Sequence, residues 1–210
     1  MKFLDLNECE NNALLEADIC IVGSGPVGLS VAKEFAGTDV KILILESGGL
    51  HIEENSEKLY EIESVGDPRR INQRNLRCRI FGGSSHIWTG RCAPFDGLDF
   101  ERRDWVPFSG WPFNQKELNP YMERAAINLG LGPHCYDESL WGKFKVSRPE
   151  PSLNTEVLSP FFWQFSKSPR SPHLSVDFGK DTFLDDADNI TVLLHANVTQ
   201  INTNDNVDKF

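Results

Sequence analysis

The sequence predicts an α/β fold built on a parallel sheet, and two of its segments carry that prediction. Residues 18–46 contain an apolar strand, DICIV, followed by the glycine turn GSGPVG, a helix and a second apolar strand, KILILE. A strand, a helix and a strand in so short a span form a βαβ unit, whose two strands must be parallel. Residues 190–201, ITVLLHANVTQI, return to strand character and predict a further strand.

The helices are predicted from their caps and breakers. The helix of the βαβ unit covers residues 29–36 and stops at the glycine that follows. A second helix is predicted over 119–130, with Asn119 as its N-cap and Pro120 in its first turn. Residues 147–175 carry five prolines and seven serines, which indicates irregular structure.

The composition argues against several classes of function. The chain has 210 residues and a net charge of −10, from 21 basic and 31 acidic residues. Because nucleic acids and anionic membranes attract clustered Lys and Arg, we expect neither as a partner. The amino terminus lacks a basic start followed by an apolar stretch, and no run approaches the ~18 apolar residues of a membrane helix. We therefore expect neither a secretory signal nor a membrane span.

The cysteines and histidines favour a cytoplasmic protein without a metal site. The five cysteines include no C-x-x-C pair, which is typical of reduced thiols in a reducing compartment. No histidine is spaced from another ligand residue as metal sites require. His195 and the other histidines outside the glycine-rich loop are interpreted as surface residues or as hydrogen-bonded residues of the core.

The glycine turn has the spacing of a dinucleotide-binding motif, G-x-G-x-x-G. Its first glycine permits a tight turn, its second lets the backbone approach a pyrophosphate, and the helix amino terminus offers N–H groups and a partial positive charge. Glu46 ends the second strand, where its carboxylate can bind a ribose diol and would repel a 2′-phosphate. NADP is therefore disfavoured, NAD and FAD both remain open, and the alternative is a βαβ unit without a ligand. The predicted cofactor-binding residues of this unit are Gly23, Gly25, Pro26, Val27, Gly28 and Glu46.

A second segment, RIFGGSSHIWTGRCAPF at residues 79–95, combines small residues with large aromatic ones. Small residues let a backbone come close to a flat ligand, and aromatic side chains shield that ligand from water. A flavin ring suits this combination, whereas a nicotinamide enzyme has no obvious use for it.

The sequence resembles the amino-terminal part of a glucose–methanol–choline (GMC) flavin oxidoreductase, in the branch of pyranose oxidases and related FAD-dependent sugar dehydrogenases. Four stretches within 18–201 carry the resemblance: DICIVGSGPVGLSVAKEF, ILESGG, FGGSSHIWTGRCAPFDGLDFERRDWVPFSGWPF and NITVLLHANVTQI. It implies a Rossmann-like FAD-binding fold with an incomplete second, substrate domain. The FAD-binding domain would cover 1–135, including a flavin loop at 76–113. The start of a substrate or cap region would cover 136–180, and returning strands of the FAD-binding domain 181–210.

The resemblance also implies roles for single residues. The glycines of the first turn would hold the FAD pyrophosphate, and the acidic residue after the second strand would hold the adenosine ribose. Gly82, Gly83 and Ser84 would lie along the flavin. Trp88 would lie near the isoalloxazine ring, and Val198 would contact the adenine through its backbone.

Two departures from the family pattern shape the expectation. Pyranose oxidases bond a loop histidine covalently to the flavin, and at that position this chain has Ile87, with His86 one residue earlier. We therefore expect FAD to be bound without a covalent bond. The family's catalytic histidine pair, or histidine and asparagine, would lie beyond residue 210, so we assign no catalytic residue. The chain is expected to be a fragment that is inactive alone.

The implied activity is oxidation of the CH–OH group of an alcohol or sugar by hydride transfer to the flavin. Oxygen, a quinone or an acceptor protein would then take the electrons. Two alternatives remain, a catalytically inactive FAD-binding fragment and an NAD-linked dehydrogenase. A yellow purified protein would exclude the second.

Overall fold

The computed structural model describes residues 1–67, 75–148, 154, 157–182, 184 and 186–203. The chain forms two compact units. The first consists of Met1–Trp88 and Asp177–Phe210, and the second of Thr89–Val176. The FAD-binding and substrate segments predicted above, with boundaries after residues 135 and 180, were assigned by function. That assignment stays a prediction.

The described elements are short and are numbered here in chain order. The strands are β1 (Lys2–Asp5), β2 (Ile19–Val22), β3 (Ile42–Leu45), β4 (Arg91–Cys92), β5 (Gln164–Phe165) and β6 (Ile190–Leu194). The α-helices are α1 (Pro26–Glu34), α2 (Glu54–Lys58), α3 (Gly97–Phe100), α4 (Gln115–Asn128), α5 (Ser139–Phe144) and α6 (Phe178–Asp181), and the 3₁₀ turns are Leu6–Glu8 and Gly83–His86. Among the described residues, no helix is long and apolar enough to cross a membrane.

A parallel sheet of four strands, in the order β1-β6-β3-β2, forms the framework of the first unit. The predicted α/β fold with a parallel sheet is confirmed, including the βαβ unit. The chain also returns as a strand at residue 190, but this strand ends at Leu194, so the predicted extent to residue 201 is wrong. Sequence analysis missed β1, which pairs with β6 so that Asp5 lies beside Leu194. The carboxyl ends of all four strands therefore point to one edge of the sheet, where ligands of open α/β sheets bind.

Helix α1 packs on the sheet through its small and apolar residues. Leu29 and Ala32 are buried in one hydrophobic cluster with Ile44 and Val192 of the central strands. Burial of a side chain such as leucine contributes about 1.5–3 kcal/mol. This packing fixes α1 against the sheet and thereby fixes the turn that joins β2 to the helix. The helix begins at Pro26, whose missing N–H costs nothing at the first helical position.

The second unit contains α4, whose predicted start is wrong. Asn114 is the N-cap rather than Asn119, and its side chain accepts hydrogen bonds from the N–H groups of Lys116 and Glu117. The Asn114 N–H in turn donates to the Glu117 carboxylate at 3.2 Å, which completes a capping box. Because these reciprocal bonds satisfy the N–H groups at a helix start next to residue 114, Pro120 lies inside the helix and not in its first turn.

Candidate functional site

The glycine turn joins β2 to the amino terminus of α1, as predicted. Gly23 has a φ of +92°, in the left-handed region that favours glycine, and its N–H donates to the Leu45 carbonyl at 2.8 Å. Gly25 is the N-cap residue of α1, and its helix end has no side-chain cap. The N–H groups at such an end carry a partial positive charge and point along the helix axis. The turn therefore offers backbone donors that suit a phosphate.

The other two glycines of the motif differ in their surroundings. A Cβ added at Gly28 would lie 2.1 Å from the Gly23 carbonyl oxygen and 3.2 Å from Ile21 Cγ2, so close packing of helix on strand requires this glycine. A Cβ added at Gly25 would meet nothing within 4 Å, and the φ of −69° at this residue is open to any amino acid. The fold itself does not require a glycine at position 25, whereas a ligand lying against the backbone would. Val27, in the first turn of α1, is 78% exposed.

Glu46 follows β3 directly, and its side chain braces the glycine turn. The residue is 5% exposed. Its Oε2 accepts hydrogen bonds from the Ser24 N–H at 2.9 Å and from the Ser24 hydroxyl, while its Oε1 accepts one from the Gly48 N–H at 2.9 Å. A carboxylate accepts about four hydrogen bonds, so capacity for one more donor, such as a ribose hydroxyl, remains. Sequence reasoning assigned the ribose to Glu46 and missed its bracing contacts.

The second glycine-rich loop lies against the first turn. The Gly82 N–H donates to the Ser24 carbonyl at 3.1 Å. A Cβ added at Gly83 would lie 3.0 Å from the Gly25 Cα, tighter than ordinary contact, and Gly83 has a φ of +58°. Two motifs that are nearly sixty residues apart in sequence therefore meet backbone to backbone beside the start of α1. The sequence predicted each motif, and the structure brings them together.

The serines of this loop hold its own backbone. Ser84 Oγ accepts a hydrogen bond from the Cys78 N–H at 3.2 Å. Ser85 Oγ donates to the Gly82 carbonyl at 2.6 Å and accepts from the Phe178 N–H at 3.0 Å. These bonds fix the 3₁₀ turn and leave the predicted place of Ser84 along a flavin as a prediction.

His86 is hydrogen bonded to an acidic residue that the sequence did not single out. Its Nδ1 lies 2.8 Å from Asp177 Oδ2, and Lys180 Nζ lies 3.1 Å from the same oxygen. Asp177 is also the N-cap of α6, since its Oδ1 accepts from the Gly179 N–H at 3.0 Å. Asp177 thus joins the imidazole of the glycine-rich loop to the start of α6. Trp88 is half-buried two residues later, and its predicted place near the flavin ring stays a prediction.

Val198 lies on the segment that runs past the carboxyl end of β3. Upstream of it, the Ala196 N–H donates to the Glu46 carbonyl at 2.8 Å. Arg79 ties the same region together, because one guanidinium nitrogen lies 2.8 Å from Ser47 Oγ and 3.2 Å from Asn197 Oδ1. Val198 itself is 38% exposed. The chain therefore passes the carboxyl end of the βαβ unit at this point, while the adenine contact of Val198 stays a prediction.

A cluster that sequence reasoning missed lies at the same sheet edge. His195 follows β6, and its Nδ1 lies 2.9 Å from both carboxylate oxygens of Asp5, at the end of β1, while its Nε2 lies 2.8 Å from Glu53 Oε2. The hydrogen bond to Asp5 raises the pKa of His195; the bond to Glu53 adds to this and burial opposes it. The bond from His195 in turn lowers the pKa of Asp5. The only sequence signal was that polar residues follow parallel strands, since nearly the whole chain separates Asp5 from His195.

Among the described residues, we find no group of three or more His, Cys, Asp or Glu side chains that could hold a metal ion. Comparison with known protein families finds no family that matches the chain, and comparison with curated proteins finds no match.

Proposed function

We propose that the chain is the FAD-binding part of an oxidoreductase of the GMC type, which oxidises the CH–OH group of an alcohol or sugar. One observation carries the proposal, the backbone contact between the two glycine motifs at Gly25 and Gly83. The first motif alone suits any dinucleotide. A second glycine loop on the same helix end supplies a second narrow backbone surface, which suits a longer dinucleotide such as FAD.

The residues of the chain would bind and orient the cofactor, and a bound flavin would supply the redox chemistry. The uncapped amino terminus of α1 suits the pyrophosphate, and the open space at Gly25 lets the phosphates approach the backbone. Glu46 has capacity for one ribose hydroxyl besides the donors it already accepts. A substrate with a CH–OH group and an electron acceptor would be the remaining partners of the reaction.

The loop chemistry supports a flavin held without a covalent bond. Ile87 stands at the position where pyranose oxidases bond the flavin, and its side chain has no nucleophilic atom. Five free cysteines support a reducing compartment, for which we propose the cytoplasm. An inactive FAD-binding fragment shares every one of these binding features. An NAD-linked dehydrogenase would use the first motif and leave the second without a role.

The test is titration of the purified chain with FAD, in which binding is measured by the quenching of the flavin fluorescence. We expect saturable binding that excess NAD does not displace. Gly25→Ala should weaken it at least about tenfold, a loss of about 1.4 kcal/mol, because the added methyl group occupies the approach to the backbone. Gly142→Ala is the matched control, since a Cβ at Gly142 also meets nothing within 4 Å and the residue lies in α5 of the other unit.

Three results would count against the proposal. The chain could bind no FAD, it could bind NAD in preference to FAD, or Gly25→Ala could bind as tightly as the Gly142→Ala control. A circular-dichroism melt of both variants shows that loss of binding is not loss of fold.

A further inference from the structure

The cluster of Asp5, His195 and Glu53, called the carboxyl-edge clasp here, joins three separate parts of the first unit. Asp5 ends β1, His195 follows β6, and Glu53 is the residue before α2. Each ring nitrogen of His195 faces a carboxylate oxygen at 2.8–2.9 Å. A neutral imidazole has a single N–H, whereas the imidazolium has two. Both contacts are therefore hydrogen bonds only when His195 is protonated.

The clasp holds a backbone conformation that a histidine adopts at a cost. His195 has a φ of +57°, in the left-handed region that non-glycine residues rarely occupy. Such conformations persist where the surrounding contacts hold them, and they gather at ligand sites and switches. The hydrogen bonds of the two carboxylates to the His195 side chain help to keep residue 195 in this conformation. Loss of one contact removes part of the force that keeps residue 195 in this conformation.

The strained backbone of His195 is bonded directly to the turn that carries Glu46. The His195 N–H donates to the Gly48 carbonyl at 3.1 Å, and the next N–H, of Ala196, donates to the Glu46 carbonyl at 2.8 Å. The Gly48 N–H in turn donates to Glu46 Oε1. A change of conformation at residue 195 therefore acts on both the backbone and the carboxylate of Glu46.

We infer that the carboxyl-edge clasp is a protonation-dependent device, which holds Glu46 in the position that binds a ribose diol. The effect on ligand binding rests on the proposed nucleotide site, whereas the protonation of the clasp does not. With His195 protonated, both carboxylates are bound, residue 195 keeps its conformation and the Glu46–Gly48 turn is held. With His195 neutral, one carboxylate faces a lone pair, that contact opens and the turn loosens.

The direction of the pH effect follows from the groups that face the ring. Asp5 and Glu53 are the charged groups that act on His195, and together they favour its protonated form. The pKa of His195 is raised above its ordinary 6.5, so the clasp is closed below that value and opens as the pH rises through the raised pKa. The pKa of Asp5 is lowered below 3.8, so its part of the clasp is lost only in stronger acid. Because coupling is reciprocal, ligand binding should raise the pKa of His195 further.

The experiment measures FAD affinity by fluorescence titration from about pH 6 to about pH 8.5, a window that brackets an ordinary or raised histidine pKa. We expect the affinity of the natural chain to fall about five- to tenfold across the window, at the lower end of usual coupling. His195→Gln should show no such fall beyond that of buffer and flavin alone. His173→Gln, an exposed histidine of the second unit, is the matched control and should behave as the natural chain.

A second measurement tests the clasp directly and requires no enzymatic activity. The imidazole of His195 is titrated by NMR in the free chain and in the presence of FAD. We expect a pKa above 6.5, lower in Glu53→Gln, which keeps the histidine and removes one charge. Glu53→Gln also serves if His195→Gln does not fold.

The outcomes separate the clasp from the proposed function. A His195 pKa at or below 6.5 would overturn the clasp whatever the chain binds. FAD affinity with the same pH dependence in the natural chain and in His195→Gln would overturn the coupling. Failure of the natural chain to bind FAD at any pH would overturn the proposed function and the coupling with it, while the NMR titration would still report on the clasp.

Discussion

Replacement of Gly28 by alanine should destabilise the fold by an amount that the structure bounds. The added Cβ would lie 2.1 Å from the Gly23 carbonyl oxygen, whereas ordinary contact begins at 3.4 Å, so the two atoms must separate by about 1.3 Å. The obstructing atom belongs to the backbone, so the helix must move away from β2. Overpacking of this kind costs about 1–3 kcal/mol, and the better helix propensity of alanine returns at most about 1 kcal/mol.

We therefore expect Gly28→Ala to lose about 1–2 kcal/mol of unfolding free energy and about 2–8 °C of melting temperature. The assay is a thermal and urea melt followed by circular dichroism. Gly25→Ala is the matched variant, because its Cβ meets nothing within 4 Å, and its melting temperature should change by less than about 2 °C. Equal melting temperatures for the two variants would refute the different roles assigned to the two glycines.

Three further predictions concern two other buried residues and the bound flavin. Glu46→Gln replaces a buried carboxylate oxygen by an amide that faces an N–H donor, so it should lose about 2 kcal/mol in a urea melt; an unchanged midpoint would contradict the bracing contacts. Ile44→Ala empties a fully buried position of β3 and should lose about 2–5 kcal/mol, and a loss under about 1 kcal/mol would mean that the strand is not buried. FAD, if bound, should be released intact by acid; mass spectrometry that found a flavin retained on the peptide with His86 would refute non-covalent binding.

The sequence predicted those parts of the fold that depend on residues close together in the chain. The βαβ unit follows from apolar runs and the glycine turn within thirty residues, and β2, α1 and β3 lie there. Strand β1 was missed because its pairing partner, β6, lies almost at the other end of the sequence. The start of α4 was placed too late because Asn119 was preferred over the capping box of Asn114 and Glu117.

The candidate site shows the same division between local and distant contacts. Both glycine motifs were visible as short patterns, but only the structure shows that Gly83 lies against Gly25. The contacts of His86 with Asp177, and of His195 with Asp5, join residues about ninety or more positions apart. A single sequence does not show which of its distant residues meet in this way, because the pairs depend on how the chain folds.

The central claim is that the two glycine motifs together hold FAD, and amide NMR of the labelled chain tests it most directly. FAD should shift the amide signals of Gly25, Val27, Gly82 and Gly83, while Gly142 of the second unit should stay unchanged. FAD that left both glycine motifs unshifted, or shifted only the first, would contradict the claim.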